Sequence, residues 1–333
     1  MADTITVAVT FGVDDEIRRQ ILAVDPRVRL ADFPAVALRP GAQLADEQRA
    51  QAIAALAEAD VIFGPNSLTP ELLDAATRLK WFQVITAGVD GMARQGTLNR
   101  GFIVTKLSGA AAPAIAEWVM GAMIMLCKGM HTAAREQMAH EWNFRFTAEL
   151  KGRTCGIVGM GAIGREVARR ARVFGMPVIA SRRRVNTGET DPDCDALFAH
   201  SELTALLERS DYVVLCIPLT EETRHVIGRA ELKAMKPTAS LINIARGAVV
   251  DQEALIEALR DGTIASAALD VFDPEPLPKE SPLWELPNVI MTPHISGAVE
   301  GYGHRAAEVF VANLRRYAAG LPLENVVDPI LAY

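Results

Sequence analysis

The feature that most constrains the fold of this chain is a set of three glycines that separates two different apolar patterns. These are Gly159, Gly161 and Gly164. Residues 154–159 form a short apolar run typical of a buried strand, and residues 164–174 have the apolar spacing of a helix. In this context the first glycine permits a tight turn, the second lets a pyrophosphate approach the backbone, and the third lets the helix pack on the strand. The pattern predicts a dinucleotide-binding turn.

The start of the predicted helix supports the same interpretation. Its first N–H groups, including those of Ala162 and Ile163, have no helical acceptor and carry a positive partial charge that suits phosphates. The alternative is a glycine-rich turn in an α/β domain that binds no nucleotide. The binding interpretation is favoured because the strand and the helix both stand where the motif requires them.

The rest of the chain alternates strand-like and helix-like segments. Strands are predicted at residues 5–10, 61–63, 81–86, 154–159, 178–181, 212–217, 240–245, 267–271 and 289–292. Helices are predicted at residues 14–24, 44–58, from 69 onward, 112–139, 164–174, 203–208, 252–261 and 303–320, with Asp14 and Thr69 as N-caps. This alternation predicts parallel sheets covered by helices. At about 150 residues per domain, the 333 residues suggest two doubly wound α/β domains.

The charge balance and the cysteines limit the class of protein. Lys and Arg total 34, Asp and Glu total 41, and the formal net charge is −7. This balance disfavours non-specific binding to nucleic acid or to anionic membranes. The four dispersed cysteines predict no metal site and a reducing compartment. The N-terminus lacks a signal-peptide pattern, and the apolar stretch 114–130 is interrupted by Glu117 and Lys128, so we expect a cytoplasmic protein.

The end of the second strand of the nucleotide-binding unit indicates the cofactor. A site for NAD carries Asp or Glu about 20 residues after the glycines, where it binds the ribose 2′-hydroxyl. This chain has Ser181, Arg182, Arg183 and Arg184 there. Guanidinium groups suit a 2′-phosphate, which predicts NADP as cofactor, with NADPH preferred and NAD possible. A solvated basic turn is the alternative.

Candidate catalytic side chains follow other predicted strands. Arg246 and Asp270 end two strands, Glu275 lies in a proline-fixed turn, and His294 lies just past a strand. Because ligands bind at the carboxyl ends of strands in open α/β sheets, we expect these groups to converge. Arg246 can neutralise a carboxylate or stabilise an alkoxide, and protonated His294 can donate a proton to a carbonyl oxygen. Glu275 is expected to raise the pKa of His294.

The chain resembles the D-isomer-specific 2-hydroxyacid dehydrogenase family over nearly its whole length. Besides the three glycines, the resemblance is carried by Ala116-Glu117, Glu149–Gly152, Ile217–Thr223, Asn243–Gly247, Leu269–Phe272, Pro274–Pro276 and Thr292–Gly297. Within the family, the arginine cluster is similar to that of NADPH-dependent glyoxylate/hydroxypyruvate reductases. The resemblance implies reduction of a small 2-oxo acid to a D-2-hydroxy acid.

The resemblance also implies a domain arrangement. A Rossmann cofactor domain, residues 106–296, is expected to be inserted into a flavodoxin-like substrate domain formed by residues 1–105 and 297–333. A homodimer through the cofactor domain is implied, with the helical region 112–139 and the loop around Trp142 at the interface.

The resemblance assigns roles to individual residues as well. His294 is the implied acid/base, Glu275 its partner and Arg246 the substrate anchor. The substrate carboxylate is expected on the backbone N–H groups of Ala87, Gly88 and Val89. The implied cofactor-lining residues are Ile217, Pro218, Thr223, Ala245 and Gly297, with Asp270 near the nicotinamide carboxamide.

Two alternatives stay open from the sequence. One is an NAD-linked dehydrogenase of a phosphorylated or sugar-derived 2-hydroxy acid. The Phe63–Leu68 loop contains no Lys or Arg, and its Asn66 and Ser67 suit a hydroxyl, which disfavours a phosphorylated substrate unless Arg94 or Arg100 reaches the site. The other is a dinucleotide-sensing binding protein of the same fold.

Overall fold

Two parallel sheets form the framework of the chain, and each belongs to its own compact unit. The computed structural model describes residues 4–34, 44–66, 68–186 and 188–329. The first unit is Met1–Ala110 with Glu300–Tyr333, and the second is Ala111–Val299. These boundaries lie a few residues beyond the predicted ones at 105 and 296. The assignment of one unit to the substrate and the other to the cofactor stays a prediction.

The first unit has five parallel strands in the order β2-β1-β3-β4-β5. The strands are β1 Ile5–Val9, β2 Val28–Leu30, β3 Val61–Gly64, β4 Trp81–Val84 and β5 Ile103–Thr105. The helices are α1 Asp15–Leu22, α2 Asp46–Ala57, α3 Pro70–Ala75, α4 Asp90–Arg94 and, near the end of the chain, α11 Tyr302–Ala318. Helices α2, α3 and α4 contribute to the apolar core on one face of the sheet, and α1 and α11 to the core on the other.

The second unit has seven parallel strands in the order β12-β11-β10-β9-β6-β7-β8. The strands are β6 Cys155–Val158, β7 Val178–Arg182, β8 Ala196–Ala199, β9 Tyr212–Leu215, β10 Ser240–Asn243, β11 Ser266–Leu269 and β12 Val289–Met291. The helices are α5 Ala112–Cys127, α6 Met130–Ala139, α7 Ala162–Val173, α8 Leu203–Arg209, α9 Arg229–Ala234 and α10 Gln252–Asp261. The strand order reverses between β6 and β9, and such a switch point is where doubly wound sheets bind ligands. The predicted doubly wound α/β class is confirmed.

Aromatic stacking fixes the last helix onto the first sheet. Phe310 of α11 stacks on Phe63 of β3 with ring centroids 4.2 Å apart, and on Trp81 of β4 at 5.2 Å. The indole of Trp81 donates to the Thr105 hydroxyl at 2.7 Å, so its polar atom is satisfied in the core. The two chain segments of this unit are therefore joined by its largest buried side chains.

The predicted N-caps are confirmed, and the predicted long helix is not. Asp14 accepts a hydrogen bond from the Ile17 N–H at 2.9 Å, and Thr69 caps α3 in the same way. The segment 112–139 is two helices rather than one, because Gly129 between them has a left-handed backbone with φ 61°. The two helices meet at a bend of 65°.

Several short elements escape the sequence pattern. Strands β2, β5 and β8 have only three or four residues, which is too short for a period to be recognised, and α9 has six. Within the described residues, no single helix is long and apolar enough to cross a membrane. Helices α5 and α6 reach that length and hydropathy only as a bent pair.

Candidate active site

The turn after β6 is built from contacts that exclude any side chain. Gly159 has φ 105°, and a Cβ there would lie 2.7 Å from the carbonyl oxygen of Cys216. The N–H groups of Gly159 and Met160 both donate to the carbonyl of Ser181, at 3.0 and 3.1 Å. A Cβ on Gly164 would lie 2.3 Å from the Gly159 carbonyl oxygen, so the helix packs directly on the turn. The turn is therefore fixed between β6, β7 and β9.

Gly161 differs from the other two glycines because open space surrounds it. A Cβ at this position would meet nothing within 4 Å. Gly161 is the N-cap residue of α7 and provides no side-chain cap for the first N–H groups, those of Ala162 and Ile163 among them. Free space beside an uncapped helix N-terminus fits a pyrophosphate, as the sequence predicts.

Two of the three predicted arginines at the end of β7 are paired with carboxylates. Ser181 is buried, Arg182 binds Glu189, and Arg183 binds Glu222 at 3.0 Å. Sequence reasoning found no carboxylate at this strand end, since none stands there in the chain. The structure brings Glu189 to it from seven residues further on.

The loop after β9 lies beside the glycine turn. The Ile217 Cγ2 atom would lie 2.8 Å from a Cβ on Gly159. The Thr223 hydroxyl donates to the carbonyl of Pro218 at 2.7 Å and accepts from the Thr220 N–H at 2.7 Å. The predicted lining residues Ile217, Pro218 and Thr223 thus belong to one hydrogen-bonded turn at this edge of the sheet.

The turn after β10 presents Arg246. The Asn243 side chain donates to the Arg246 carbonyl at 3.0 Å and accepts from the Ala245 N–H at 3.0 Å, so a buried amide closes the turn. A Cβ on Gly247 would lie 1.9 Å from the carbonyl carbon of Phe272, so only glycine fits. This close approach brings the Arg246 turn against the segment that carries Glu275. Sequence reasoning missed the role of Asn243.

The structure brings Glu275 and His294 into contact, as the sequence predicts, and their acid/base role stays a prediction. The distance from His294 Nδ1 to Glu275 Oε2 is 2.9 Å, and Glu275 Oε1 accepts from the Phe272 N–H at 3.0 Å. The hydrogen bond from Glu275 raises the pKa of His294 above its ordinary value, against the opposing effects of burial and of Arg246. Burial tends to raise the pKa of Glu275, but the bonds from His294 and Phe272 outweigh it and the pKa is lowered. Both shifts favour the charged pair.

Asp270 fixes the backbone around His294. Its buried carboxylate accepts from the Thr292 hydroxyl. It also accepts from the N–H groups of Ile295 and Ser296, each at 2.9 Å. The His294 N–H donates to the Asp270 carbonyl at 2.8 Å, and His294 has a left-handed backbone with φ 55°. A carboxylate has about four acceptor positions, so one remains for a further donor. Contact with a nicotinamide carboxamide stays a prediction, and the positioning of His294 is a role that the sequence did not indicate.

Gly297 closes this segment against the start of α5. A Cβ at Gly297 would lie 3.4 Å from the Cβ of Ala111 and 3.5 Å from Ile115. These are ordinary van der Waals distances, so packing does not require glycine at this position. Its predicted contact with the cofactor stays a prediction.

In the first unit, polar side chains from three segments of the chain hold the turn after β4. The Gly88 carbonyl accepts from Asn66 Nδ2 at 3.1 Å and from the Thr86 hydroxyl at 2.8 Å, and the Tyr302 hydroxyl donates to the Ile85 carbonyl at 2.7 Å. Asn66 is thus used as a brace, whereas Ser67 lies outside the described residues. The N–H groups of residues 87–89 stay the predicted carboxylate site.

Three cations of the first unit bear on whether a phosphate could bind at the carboxyl ends of its strands, the edge that carries the turn after β4. Arg94 pairs with Asp90 at 3.7 Å and Arg100 with Asp74 at 2.5 Å. Lys106, which sequence reasoning overlooked, directly follows β5 at the same edge, and the next N–H, that of Leu107, donates to the Thr86 carbonyl at 3.1 Å. Burial lowers the pKa of the Lys106 ammonium group. Among the described residues, no group of three or more His, Cys, Asp or Glu side chains could hold a metal ion.

Comparison with known proteins identifies the family. Residues 120–296 match the model of the NAD-binding domain of D-isomer specific 2-hydroxyacid dehydrogenases, which is more than half of the chain. The chain belongs to the D-isomer-specific 2-hydroxyacid dehydrogenase family. It is an NAD(P)-dependent oxidoreductase, and the family membership predicted from the sequence motifs is confirmed.

Individual relatives of this dehydrogenase differ in their named activities. Glyoxylate/hydroxypyruvate reductase B of Pectobacterium carotovorum is 39% identical over 282 residues, which are 83% of this chain and 87% of that protein. D-3-phosphoglycerate dehydrogenase of Methanocaldococcus jannaschii is 35% identical over 277 residues, 80% of this chain and 51% of that protein. A solved 2-hydroxyacid dehydrogenase from Xanthobacter autotrophicus, in complex with NADPH and MES, is 29% identical with a TM-score of 0.81, and all of both chains is covered.

Proposed function

We propose that this dehydrogenase reduces a small 2-oxo acid, glyoxylate or hydroxypyruvate, to the D-2-hydroxy acid, with NADPH preferred and NADH accepted. The observation that carries the proposal is the Glu275–His294 pair beside the Arg246 turn, in the same unit as the glycine turn. The name of the Pectobacterium relative supports the substrate class, and the NADPH in the Xanthobacter structure supports the cofactor.

The side chains divide the work of the reaction. Because Nδ1 of His294 is bound to Glu275, the proton that can be transferred to the carbonyl oxygen is the one on Nε2. Glu275 keeps the imidazole charged before the transfer, and Arg246 stabilises the negative charge that develops on the substrate oxygen. When bound, the nicotinamide cofactor supplies the hydride. The protonated His294 is thus the form required for reduction.

The cofactor position follows from the edge of the second sheet. Gly161 and the uncapped start of α7, with Ala162 and Ile163, are proposed to hold the pyrophosphate. Arg182 and Arg183 are proposed to bind the 2′-phosphate. The turn at residues 217–223, Ala245, Asp270 and Gly297 are proposed to line the rest of the cofactor.

The substrate is proposed to lack a phosphate group. Its carboxylate is assigned to the backbone of Ala87, Gly88 and Val89. Both arginines considered from the sequence, Arg94 and Arg100, have carboxylate partners. The third cation considered, Lys106, directly follows β5, and burial disfavours its charged form. One ammonium group is poorly matched to nearly two extra charges of a phosphate.

A homodimer and a cytoplasmic location complete the proposal. Four large apolar side chains on α6 and the following segment are more than 80% exposed: Met138 by 83%, Trp142 by 98%, Phe144 by 84% and Phe146 by 94%. Apolar groups concentrated in this way are typical of a surface that another chain covers. All four cysteines are free thiols, which suits a reducing compartment.

The proposal is tested by assaying glyoxylate, hydroxypyruvate and 3-phosphohydroxypyruvate with NADPH and with NADH. We expect turnover of the two smaller acids and a 10²–10⁴-fold lower kcat in His294→Asn, the usual effect of losing a general acid. The matched control is His304→Asn, because His304 also binds a carboxylate, that of Asp14, at 2.9 Å in the first unit. Binding of NADPH without turnover of any 2-oxo acid would instead favour a dinucleotide-sensing protein.

A further inference from the structure

The guanidinium group of Arg182 is bound by an anion that belongs to the chain itself. The Glu189 carboxylate accepts from Arg182 Nη2 and also from the Asn186 N–H, the latter at 2.9 Å. These hydrogen bonds, that of Asn186 first, hold the pKa of Glu189 below its ordinary value. The negatively charged Glu189 carboxylate therefore contacts the guanidinium that the proposed function assigns to the 2′-phosphate.

The Arg182–Glu189 pair is more enclosed than the neighbouring one. About a third of each side chain is exposed, 32% for Arg182 and 29% for Glu189, whereas Glu222 in the Arg183 pair is 68% exposed. The Nε atom of Arg182 is buried and has no hydrogen-bond partner among the described residues. The guanidinium has five N–H donors, Glu189 binds it at Nη2, and the side chain is 32% exposed, so N–H groups other than the buried one can still receive a ligand oxygen.

We propose that Glu189 is a cofactor-selecting residue, which competes with the 2′-phosphate of NADPH for Arg182 and remains in place when NADH binds. The proposal rests on the proposed assignment of Arg182 to the 2′-phosphate. A carboxylate bound to the guanidinium occupies N–H donors that a 2′-phosphate would need, whereas a neutral ribose 2′-hydroxyl does not depend on that cation. A carboxylate is also the group that binds this hydroxyl in sites for NAD. Glu189 therefore reduces the preference for NADPH that the arginines create.

The test is the binding of cofactors and adenine fragments to the full chain and to Glu189→Gln. Isothermal titration calorimetry gives the Kd of NADPH, NADH, adenosine 2′,5′-bisphosphate and 5′-AMP in the absence of substrate. Removing the competing charge is expected to tighten NADPH and the bisphosphate about tenfold, the scale of one charge-assisted hydrogen bond. The Kd of 5′-AMP is expected to stay unchanged, and NADH is expected to bind no more tightly.

Two further variants separate competition from a general effect on charge or folding. Glu257→Gln removes a carboxylate from an exposed pair with Arg229 in the same unit, and it is expected to leave all four Kd values unchanged. In an Arg182→Ala background, Glu189→Gln is expected to lose its effect on the bisphosphate, since the shared cation is gone. Glu189→Ala is expected to act in the same direction as Glu189→Gln.

The outcomes distinguish this proposal from the one on which it rests. If Arg182→Ala weakens NADPH but Glu189→Gln leaves its Kd unchanged or raises it, the role of Glu189 is wrong and the cofactor assignment stands. If the effect of Glu189→Gln persists in the Arg182→Ala background, competition is also wrong. If wild type binds the bisphosphate no more tightly than 5′-AMP, and Arg182→Ala changes neither, the assignment of the 2′-phosphate itself is refuted.

Discussion

Replacing Glu275 by glutamine removes one charge from the acid/base pair and keeps the size of the side chain. In wild type, Glu275 Oε2 lies 2.9 Å from His294 Nδ1, and this bond raises the pKa of the imidazole above its ordinary value of 6.5. In the variant, burial and the nearby Arg246 remain, and both lower that pKa. Reduction requires the protonated imidazole, so the descending limb of the pH–rate profile is expected to move to lower pH.

The size of the effect on rate follows from the contact. A hydrogen bond between charged groups contributes about 1.5–3 kcal/mol. The side chains are 50% and 36% exposed, so screening favours the lower end, about 1.5 kcal/mol or roughly tenfold in an equilibrium constant. At pH values above the midpoints of both the wild-type and the variant profile, Glu275→Gln should therefore reduce kcat/KM about tenfold, because less of the imidazole is protonated. Below both midpoints this factor should approach one.

The assay is a profile of kcat/KM for hydroxypyruvate reduction from pH 5 to pH 9, with circular dichroism to confirm folding. A matched control is Asp14→Asn, which removes the carboxylate partner of His304. The control is expected to leave the descending limb unmoved. A Glu275→Gln profile whose midpoint coincides with wild type would refute the pairing as the source of the charged imidazole.

The same substitution makes a prediction for stability. His294 has a raised pKa in the folded state, so its contribution is complete below about 6.5 and is lost as pH rises through the folded-state value. Glu275 has a lowered pKa, so its contribution is present above about 4.5 and is lost as pH falls through the folded-state value. Urea unfolding should therefore show the largest loss of stability in Glu275→Gln between these values and a smaller loss at pH 9. An equal loss across this range would contradict the charge linkage.

Three further predictions concern the other elements of the site. Gly161→Ala should keep wild-type stability, because its Cβ meets only open space, yet weaken cofactor binding at least tenfold, because that space is the proposed pyrophosphate site. Gly164→Ala should unfold at a lower urea concentration, because its Cβ meets the Gly159 carbonyl oxygen. Wild type should have a higher kcat/KM for hydroxypyruvate than for its 3-phosphate, and Lys106→Met should keep that preference. If wild type instead prefers the 3-phosphate and Lys106→Met loses this preference, Lys106 is the cation that binds the phosphate. Trp142→Ser with Phe146→Ser should increase the monomer fraction in sedimentation, and an unchanged distribution would exclude the exposed segment from the interface.

The fold was predictable where a pattern is long or its chemistry is local. The glycine motif and the βα alternation gave the class, and Asp14 and Thr69 gave helix starts because capping needs only a side-chain oxygen three residues before an N–H. The helix break at Gly129 was missed, because a single glycine inside an apolar stretch is also compatible with a continuous helix. Three-residue strands such as β2 have no measurable period, so they depend on pairing that only the sheet provides.

The reactive side chains were predictable, and the groups that hold them were not. Arg246, Glu275 and His294 are conspicuous as a set, since all three follow strands whose carboxyl ends are where such sheets bind ligands. Asn243 and Asp270 act through hydrogen bonds to backbone groups, and these partners carry no residue-type signal. Glu189 is more instructive, because a carboxylate seven residues beyond Arg182 folds back to bind the guanidinium at the strand end. Cofactor choice read from a single position is therefore incomplete.

The backbone contacts explain why the acid/base pair can be precise at the end of so short a loop. Gly247 leaves no room for a Cβ against the Phe272 carbonyl, and the N–H of the same residue, Phe272, donates to Glu275. The backbone that carries Arg246 and the carboxylate that orients His294 thus meet at one residue. A change that separates these two turns would move the proposed anchor and the proposed proton donor together, whereas the loss of either side chain alone would leave the other in position. The geometry of the site therefore depends on a glycine that takes no part in the chemistry.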